Sequence, residues 1–404
     1  MVQSIYYWNN LETADNRETK GHIENPRQII RNESTMAPFE QMRDRAVGNR
    51  ILTSDGVVKG FLRIEGDSLT EVCWGNAPRN ATKALVLPAM VNAHTHIGDT
   101  IAFPAPKGSV QEIVGPPDGY KHRMLRSKST EEKTHSMRDA VEIMRSSGTT
   151  LFGDFREEGI EGLKSFRNAV GESWPRAIVF GRPAGTETKS AEIAALIAAS
   201  DGLGFSAISD WPIDMLRKMS RDVKAAGKLF AIHASEVARE DIDIILDLKP
   251  NFLVHMCKAT QSDIMSCKDA GVPIVVCPSS NHFFGLNADI PRLLKAGVTV
   301  GIGTDNGMIT RPDMLAELRI AYSTANASAR VEPLEIISLA TFGGRKVLNA
   351  DAKITTEIGT DADILVIRTA GDDPLRYLVT RAGSNDILAI VHRGKVWRTS
   401  AWTT

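Results

Sequence analysis

The middle of the chain alternates between short apolar runs and longer amphipathic stretches, and this alternation restricts the fold more than any other feature. The amphipathic stretches have helical periodicity, whereas the runs are rich in β-branched residues. Eight such βα units predict an α/β fold, a (β/α)₈ TIM-type barrel. A doubly wound open sheet is the rival, but no GxGxxG turn follows the first run. The runs are 84–90, 149–155, 176–181, 204–208, 229–233, 252–255, 273–277 and 299–304, with helices expected at 131–146, 191–199, 212–226 and 262–270.

Both ends of the chain differ from this middle. Residues 49–76 consist of short strand-like runs separated by turn signals such as Ser54-Asp55-Gly56. Residues 363–367 and 387–397 look similar. We therefore expect a small β-sandwich domain built from both ends, 46–84 and 350–404, around a barrel of residues 85–349. Residues 1–45 are polar and are expected to form an N-terminal extension.

Composition excludes several classes of partner. The 404 residues carry a formal net charge of -1, so no overall field favours nucleic acid or an anionic membrane surface. No apolar stretch approaches the roughly 20 residues of a membrane-spanning helix, and the start lacks the apolar core of a secretory signal. The four cysteines show no CxxC spacing, which indicates free thiols in a reducing compartment. A cytoplasmic protein is the expectation.

Five side chains at the ends of the apolar runs suggest a metal site. His94 and His96 are two residues apart, so on a strand they point to the same face. His233, His255 and Asp305 each end a later run. In a barrel, the carboxyl ends of all strands meet at one mouth. Histidine with one aspartate suits a borderline divalent ion such as Zn²⁺, which lowers the pKa of a bound water to about 7.

Each of these histidines also has an ordinary explanation. A single histidine at a strand end is more often a buried, hydrogen-bonded side chain than a ligand. The joint occurrence of the five residues, in order and at the expected strand ends, favours the site.

The ordered pattern HxH, His, His, Asp resembles the amidohydrolase superfamily. The resemblance extends from about Ile51 to Trp397, because local phrases match as well. Residues 86–96 (VLPAMVNAHTH) are similar to the first barrel strand of that family. Residues 277–281 (CPSSN) and 303–306 (GTDN) resemble its strands seven and eight, and residues 341–348 and 359–365 resemble the return to the small domain.

Two details of the resemblance point to a subgroup. Family members with two metal ions usually carry a bridging carboxylated lysine at the end of strand four, whereas residues 204–210 contain no lysine. Strand five ends in His233-Ala-Ser-Glu236, and the family's heterocycle deaminases use this glutamate as a proton shuttle. The resemblance therefore implies a mononuclear aminohydrolase, similar to deaminases of adenosine or S-adenosylhomocysteine, guanine and cytosine and to triazine hydrolases.

The resemblance also implies roles for residues. His94, His96, His233 and Asp305 would hold one divalent ion, with Zn²⁺ expected and Fe²⁺ suited by the same ligand types. A metal-bound hydroxide would attack the amino-bearing carbon of a heterocycle, helped by Glu236, His255 and Asp305 as catalytic residues. Glu236 would protonate a ring nitrogen, and His255 would steady the oxygen that develops charge. The alternative for Glu236 is a solvated carboxylate at a helix start.

Four residues are weaker candidates for substrate binding. Arg156 and Arg182 follow the second and third runs, where a guanidinium could hold a carboxylate, phosphate or carbonyl. The alternative is a structural salt bridge, for example to Glu157. Lys121 lies in a long loop after the first run, where a surface lysine is the alternative, and His282 follows the seventh run and could face the pocket.

Two other functions stay open at this point. Hydrolysis of a ring amide, or of a carbon–halogen bond in a heterocycle, needs the same metal site. A non-catalytic metal-binding scaffold would need the ligands but no proton shuttle. The expected partner is a small heterocyclic substrate, and a homo-oligomer is left open.

Overall fold

The computed structural model describes residues 45–171, 174–349 and 363–399, so the extension expected at 1–45 lies outside the described residues except for Arg45. The strands of this part are β1 Arg45–Val47, β2 Arg50–Thr53, β3 Gly56–Glu65, β4 Ser68–Trp74, β5 Leu85–Pro88, β6 Met90–His96, β7 Thr149–Arg156, β8 Arg176–Gly181, β9 Gly202–Phe205, β10 Leu229–Ala234, β11 Phe252–His255, β12 Ile274–Val276, β13 Val300–Ile302, β14 Asp305–Asn306, β15 Ile364–Ile367, β16 Ile387–His392 and β17 Lys395–Arg398. The α-helices are α1 Val110–Ile113, α2 Tyr120–Ser127, α3 Thr130–Ser146, α4 Gly159–Val170, α5 Ser190–Ala199, α6 Ile213–Ala225, α7 Ile242–Asp247, α8 Gln261–Asp269, α9 Pro278–Phe283, α10 Ile290–Ala296, α11 Met314–Ser328, α12 Pro333–Ser338, α13 Gly344–Val347 and α14 Pro374–Thr380.

A parallel sheet in the order β13-β12-β11-β10-β9-β8-β7-β6-β14 forms the centre of the molecule. β13 and β14 are separated only by Gly303 and Thr304, yet β13 pairs with β12 and β14 pairs with β6 at the opposite end. This segment therefore acts as the eighth strand and closes the sheet into a TIM-type barrel. The doubly wound open sheet considered as a rival is wrong.

The helices expected between the strands are confirmed to within one residue at each end. Local sequence explains two of the helix starts. Ser129 accepts a hydrogen bond from the amide of Glu132 at the start of α3, and Thr260 does the same for Asp263 at the start of α8. Both are capping boxes, which satisfy backbone donors that a helix start leaves open. Across the described residues, no helix combines the length and the apolar character needed to cross a membrane.

The apolar run at 84–90 belongs to two different sheets. β5 pairs with β15 in the terminal sheet, and only β6 belongs to the barrel. The change occurs at Ala89, whose amide donates to Asp363, while the next amide, that of Met90, donates to Gly148. The expectation that 84–90 is the first barrel strand is therefore wrong. The histidine pair nevertheless lies at the end of that strand, because β6 continues to His96.

The strands from the two chain ends do form one structure, as expected, but the β-sandwich is not confirmed. They make a single sheet in the order β1-β3-β2-β5-β15-β16-β17-β4, and additional pairing of β3 with β4 closes it. β3 is ten residues long, so its second half reaches β4 after its first half has paired with β2. One closed sheet replaces the two packed sheets that we expected.

The barrel strands nearest the candidate site are buried on both faces. Every residue of β6 and β7 is buried, as expected for a parallel sheet that is covered by helices outside and filled inside. Three phenylalanine rings fill the interior: Phe155 lies 5.1 Å from Phe180 and 6.3 Å from Phe252, measured between ring centroids. The Phe155 ring also contacts His94 edge-on at 4.6 Å. This aromatic layer is the floor beneath the histidine pair.

Closure of the barrel brings the backbone of Gly303 close to that of His94. A methyl group added at Gly303 is therefore predicted to destabilise the protein. A Cβ at this position would lie 2.5 Å from the backbone oxygen of His94 and 2.6 Å from its nitrogen. We expect Gly303→Ala to lower the free energy of unfolding by ~3 kcal/mol, because backbone atoms must move. Thermal and denaturant unfolding would measure it. The matched control is Gly185→Ala, since nothing lies within 4 Å of a Cβ there. Equal stability of the two variants would contradict the prediction.

Candidate active site

The barrel brings four of the predicted residues together at one mouth. His94 and His96 come from the end of β6, His233 from β10 and Asp305 from β14. His233 Nε2 lies 3.2 Å from His94 Nε2 and 3.5 Å from His96 Nε2. One ligand atom from each of the four residues lies within 4.8 Å of all the others. The cluster is a candidate site for a metal ion.

Asp305 presents its two oxygens to different environments. Oδ2 accepts hydrogen bonds from Ser280 Oγ at 2.6 Å and from Asn306 Nδ2 at 3.1 Å. Oδ1 faces the histidines, 3.3 Å from His94 Nε2 and 3.5 Å from His96 Nε2, and makes no well-aligned hydrogen bond with any described residue. A buried carboxylate oxygen left open beside three imidazoles fits a bound cation.

In His96 and His233, the hydrogen bond made by Nδ1 determines that Nε2 is the nitrogen available to bind a metal ion. His96 Nδ1 lies 2.9 Å from Glu157 Oε1, and His233 Nδ1 lies 2.6 Å from the carbonyl oxygen of Phe205. Both partners only accept hydrogen bonds, so each Nδ1 carries the proton and each Nε2 keeps its lone pair. This is the arrangement by which proteins orient histidine ligands. Phe205 is the last residue of β9, which is the fourth strand of the barrel.

The electrostatic environment favours the protonation states that a metal site needs. Burial lowers the pKa of His94, lowers that of His96 to about 3 and lowers that of His233 well below its ordinary value. Burial alone would raise the pKa of Asp305, but its contact with His94 and the nearby histidines hold that pKa well below the usual range. Neutral imidazoles with an ionised carboxylate are ready to coordinate.

His255 and Glu236 form a second pair beside this cluster. His255 Nε2 lies 3.6 Å from Glu236 Oε1, and the Glu236 side chain is 17% exposed. Asn281 Nδ2 donates to His255 Nδ1 at 3.0 Å, which leaves the His255 proton on Nε2, toward Glu236. Burial raises the pKa of Glu236, so its carboxyl holds a proton more readily than an exposed one. Glu236 is therefore not the solvated carboxylate considered as the alternative.

Several backbone positions around the site adopt left-handed conformations that side chains disfavour. The φ angles are +46° at Ser235, +77° at His255, +56° at Met256 and +59° at Asp305. Such positions cost about 1–3 kcal/mol each and persist only where surrounding contacts enforce them. They cluster here because the chain must turn sharply after each strand to direct a side chain into the mouth.

Side chains of helix α9 form hydrogen bonds with Asp305 and His255. This helix was only partly recognised in the sequence. Three consecutive side chains, Ser279, Ser280 and Asn281, bond to Glu317, Asp305 and His255 respectively. The phrase CPSSN was noted as a resemblance, but nothing in the sequence linked it to Glu317 on α11. That buried carboxylate also accepts the backbone N–H of Ser279 at 2.9 Å, so it fixes the start of α9.

A cavity of about 200 Å³ opens onto the site. His96, His233, His255, Asp305 and Glu236 line its inner end. The rest of the wall comes from the segments that follow β6, β8, β9 and β10 and from Asn306 of β14. This is a partly open mouth in which a small ligand would touch the histidine cluster and Glu236 together.

Two of the four candidates for substrate binding border this cavity. Arg182 lines it with a guanidinium that is almost fully buried; Nη1 lies 3.6 Å from Glu157, and Nη2 has no hydrogen-bond partner among the described residues. Lys121 also lines it, but it is 2% exposed and forms ion pairs with Asp99 and Glu157. The surface-lysine alternative is therefore wrong, because the side chain turns inward.

The other two candidates lie elsewhere. Arg156 does not border the cavity; its buried guanidinium donates to Glu157 at 2.7 Å and lies 3.4 Å from Asp154. This is the salt bridge to Glu157 considered as its alternative. His282 is exposed on α9 and lies 3.4 Å from Thr324 Oγ1, so the expectation that it faces the pocket is wrong. The helix directs Asn281 inward and therefore turns the next residue out.

Comparison with known proteins agrees with this geometry. Residues 85–397 match the sequence model of the amidohydrolase family. The chain belongs to the amidohydrolase family. This amidohydrolase is 32% identical over 341 residues to a putative aminohydrolase of Archaeoglobus fulgidus, covering 83% of this chain and 94% of the relative. It is 25% identical over 371 residues to a 5-methylthioadenosine/S-adenosylhomocysteine deaminase of Haloarcula marismortui, covering 80% and 83%.

The fold comparison points the same way. The crystal structure of an adenosine deaminase from Xanthomonas campestris with bound zinc superimposes with a TM-score of 0.71 at 18% identity, covering 89% of this chain and 93% of that chain. At this identity the likeness concerns the fold alone. Family membership makes the amidohydrolase a hydrolase that acts on C–N bonds, which sets it apart from a non-catalytic scaffold.

The buried carboxyl of Glu317 predicts a pH dependence of stability. Burial raises its pKa from 4.5 to about 7. The folded state then binds more protons than the unfolded state between these values, so the free energy of unfolding contributed by Glu317 falls as pH rises through this interval. Glu317→Gln removes the titration. We expect the difference between the Tm of the variant and the Tm of the parent, measured by calorimetry, to increase as the pH is raised from 4.5 to 7.

The matched control for this experiment is Glu335→Gln, an exposed carboxylate on α12. Its Tm relative to the parent should not change over the same pH interval. A constant difference between the Glu317 variant and the parent protein would contradict the prediction.

Proposed function

We propose that this amidohydrolase releases ammonia from an amino-substituted heterocycle of purine, nucleoside, pterin or pyrimidine type. The observation that carries the proposal is Glu236 placed 3.6 Å from His255 at the inner end of the cavity, next to the four-residue cluster. A ring bound there would meet a protonatable carboxyl and the attacking oxygen on neighbouring sides. The names of the relatives, aminohydrolase and deaminase, support the same reaction.

We propose that His94, His96, His233 and Asp305 hold one divalent ion, with Zn²⁺ expected before Fe²⁺. A bound ion of this kind supplies hydroxide at neutral pH by lowering the pKa of water to about 7. The described strand four, β9, contains no lysine, which supports one ion rather than two. The zinc in the structurally similar adenosine deaminase supports the choice of metal.

The side chains then divide the proton transfers. Asp305 accepts the proton of the attacking water, and Ser280 and Asn306 hold its outer oxygen in place meanwhile. Glu236 gives a proton to a ring nitrogen, which makes the neighbouring carbon more electrophilic. The water oxygen bonds to that carbon, and Glu236 takes the remaining hydroxyl proton. The exocyclic C–N bond then breaks as the amino nitrogen takes the proton held by Asp305 and leaves as ammonia, which restores both carboxyl groups. His255 donates from Nε2 to the oxygen that develops charge.

The proposal predicts a loss of turnover when Glu236 can no longer transfer a proton. We expect ammonia release from at least one member of a panel of amino-purines, nucleosides, pterins and pyrimidines by Zn²⁺-loaded protein. Glu236→Gln should lower kcat by at least ~100-fold, the usual size of general acid–base catalysis. A coupled glutamate dehydrogenase assay would measure the ammonia.

The control is Glu192→Gln, which changes an exposed carboxylate on α5 and should leave turnover unchanged. Full turnover in the Glu236 variant would remove this residue from the mechanism. If no amino-heterocycle yields ammonia while a ring amide is opened or a carbon–halogen bond is cleaved, deamination is the wrong reaction.

We further propose that Arg182 binds an acceptor group of the substrate. Its Nη2 is buried at the cavity wall without a partner among the described residues, whereas the ammonium of Lys121 already has two carboxylate partners. A carboxylate, phosphate or carbonyl on the heterocycle would satisfy the open donor. Of the two, Arg182 is therefore the better candidate for direct contact.

This assignment predicts a defect in substrate binding. Arg182→Met should raise KM at least ~10-fold for substrates with an acceptor at that position, because a charged hydrogen bond contributes about 1.5–3 kcal/mol. Substrate analogues that lack the acceptor should show equal KM with the parent and the variant. The control is Arg217→Met at the exposed surface. An unchanged KM for every active substrate would contradict the assignment.

A further inference from the structure

One wall of the cavity is formed by the segment between β6 and α3, residues 97–127, which we call the cover. It contains a short 3₁₀ turn at Ile97–Ala102, then α1 and α2. Residues from both helices and the loop between them line the cavity. The cover thus forms one wall of the cavity, so the contacts that hold it against the barrel also set the shape of the candidate active site.

One buried ammonium fastens the cover to the barrel. Lys121, at the start of α2, lies with Nζ 2.8 Å from Glu157 Oε1 and 3.1 Å from Asp99 Oδ2. All three side chains are at least 96% buried. Glu157 directly follows β7, so the contact joins the cover to the second barrel strand.

The same carboxylate orients a histidine of the candidate metal site. Glu157 Oε1 accepts from His96 Nδ1 at 2.9 Å, while Oε2 accepts from Arg156 at 2.7 Å. A continuous path therefore runs from the cover through Lys121 and Glu157 to His96. No apolar contact could transmit the position of the cover to the imidazole with the same directionality.

The ammonium of Lys121 belongs to a larger cluster of buried charged groups. Three buried carboxylates, Asp99, Asp154 and Glu157, face three buried cations, Lys121, Arg156 and Arg182. One potential metal-ligand atom from each of His96, Asp99 and Glu157 lies within 4.8 Å of the other two, a spacing at which a metal ion could also bind. The ammonium of Lys121 supplies the positive charge there instead. Burying such pairs is costly, and apolar residues would hold a cover equally well.

We propose that Lys121 is a positioning residue that couples the cover to His96 through Glu157, so that closure over the cavity and retention of the metal ion depend on each other. The inference rests on the proposed metal site. When the cover lifts, Lys121 leaves Glu157, and the carboxylate loses a partner that holds it against His96. His96 is then less firmly oriented toward the ion.

The cover has other contacts that keep it folded without Lys121. Ile113 on α1 packs with Ala102 and with Met308 of the barrel. His122 Nε2 donates to the carbonyl of Val114 at 3.2 Å, which ties α2 to the end of α1. Loss of Lys121 should therefore loosen the cover and the histidine without unfolding the segment.

The test compares release of Zn²⁺ from the full-length protein to a colorimetric chelator. Lys121→Met alone removes the ammonium that two buried carboxylates, Asp99 and Glu157, share and risks misfolding, so the test variant is K121M/D99N, which removes one charge of each sign. We expect it to release Zn²⁺ at least ~10-fold faster than the parent, the lower range for losing a group that orients a metal ligand. Limited proteolysis should cut residues 97–127 faster in the same variant.

Two controls separate the effect of Lys121 from other changes. D99N keeps the contact of Lys121 with Glu157 and should release Zn²⁺ within ~3-fold of the parent rate. K128M removes a lysine beyond the end of α2 that pairs with Glu132 at the surface, and it should match the parent in both assays.

Three outcomes overturn the inference. The first is a folded K121M/D99N protein that releases Zn²⁺ at the rate of the parent. This result overturns the inference even if proteolysis is faster, because the cover then opens without affecting the ion. The second is a D99N protein that releases Zn²⁺ as fast as the double variant, because the loss of Asp99 rather than of Lys121 would then explain the faster release. A parent protein that binds no divalent ion overturns the proposed function, and this inference falls with it.

Discussion

Closure of the parallel sheet by residues 300–306 is the constraint on which the rest of the molecule depends. Only when β14 pairs with β6 does Asp305 arrive beside His94 and His96. The approach is so close that a glycine is required at position 303, where the backbone passes His94. The four ligand candidates come from three strands that are far apart in sequence, and the barrel supplies the geometry that none of them has alone.

The polar groups around the mouth form two separate supports. On one side, α9 holds Asp305 and His255 through Ser280 and Asn281, and Glu317 holds the start of α9. On the other side, Glu157 orients His96 within a balanced cluster of buried charges. α9 follows β12 and Glu157 follows β7, so the two supports flank the strands β13–β14 and β6 that carry Asp305 and the histidine pair. Preorganisation of this kind lets a site bind an ion and a substrate without rearranging its own dipoles.

The sequence was sufficient to predict the barrel and to group the four ligand candidates, because hydrophobic periodicity, the HxH spacing and the residues that end each apolar run are local features. It was also sufficient for the starts of α3 and α8 to within one residue. It failed where long-range pairing decides the outcome. Nothing local shows that 84–90 divides between two sheets, or that β3 is long enough to close the terminal sheet against β4. Lys121 looked like a surface residue because its partners Asp99 and Glu157 lie 22 and 36 residues away in the chain.

The crossing at Ala89 has a consequence for the order in which the protein is assembled. β5 leads into the strand that carries His94 and His96 after a single residue, yet its partner β15 comes from residues 364–367. During synthesis from the N-terminus, every barrel strand has been made before β15 exists. The other partner of β5, β2, is translated first, so the strand that presents the histidine pair is anchored at its entry by β2 from the start and by β15 only at the end of synthesis. A ribosome-bound chain ending before residue 364 would hold all the candidate ligands and β2, but it would lack the pairing of β5 with β15.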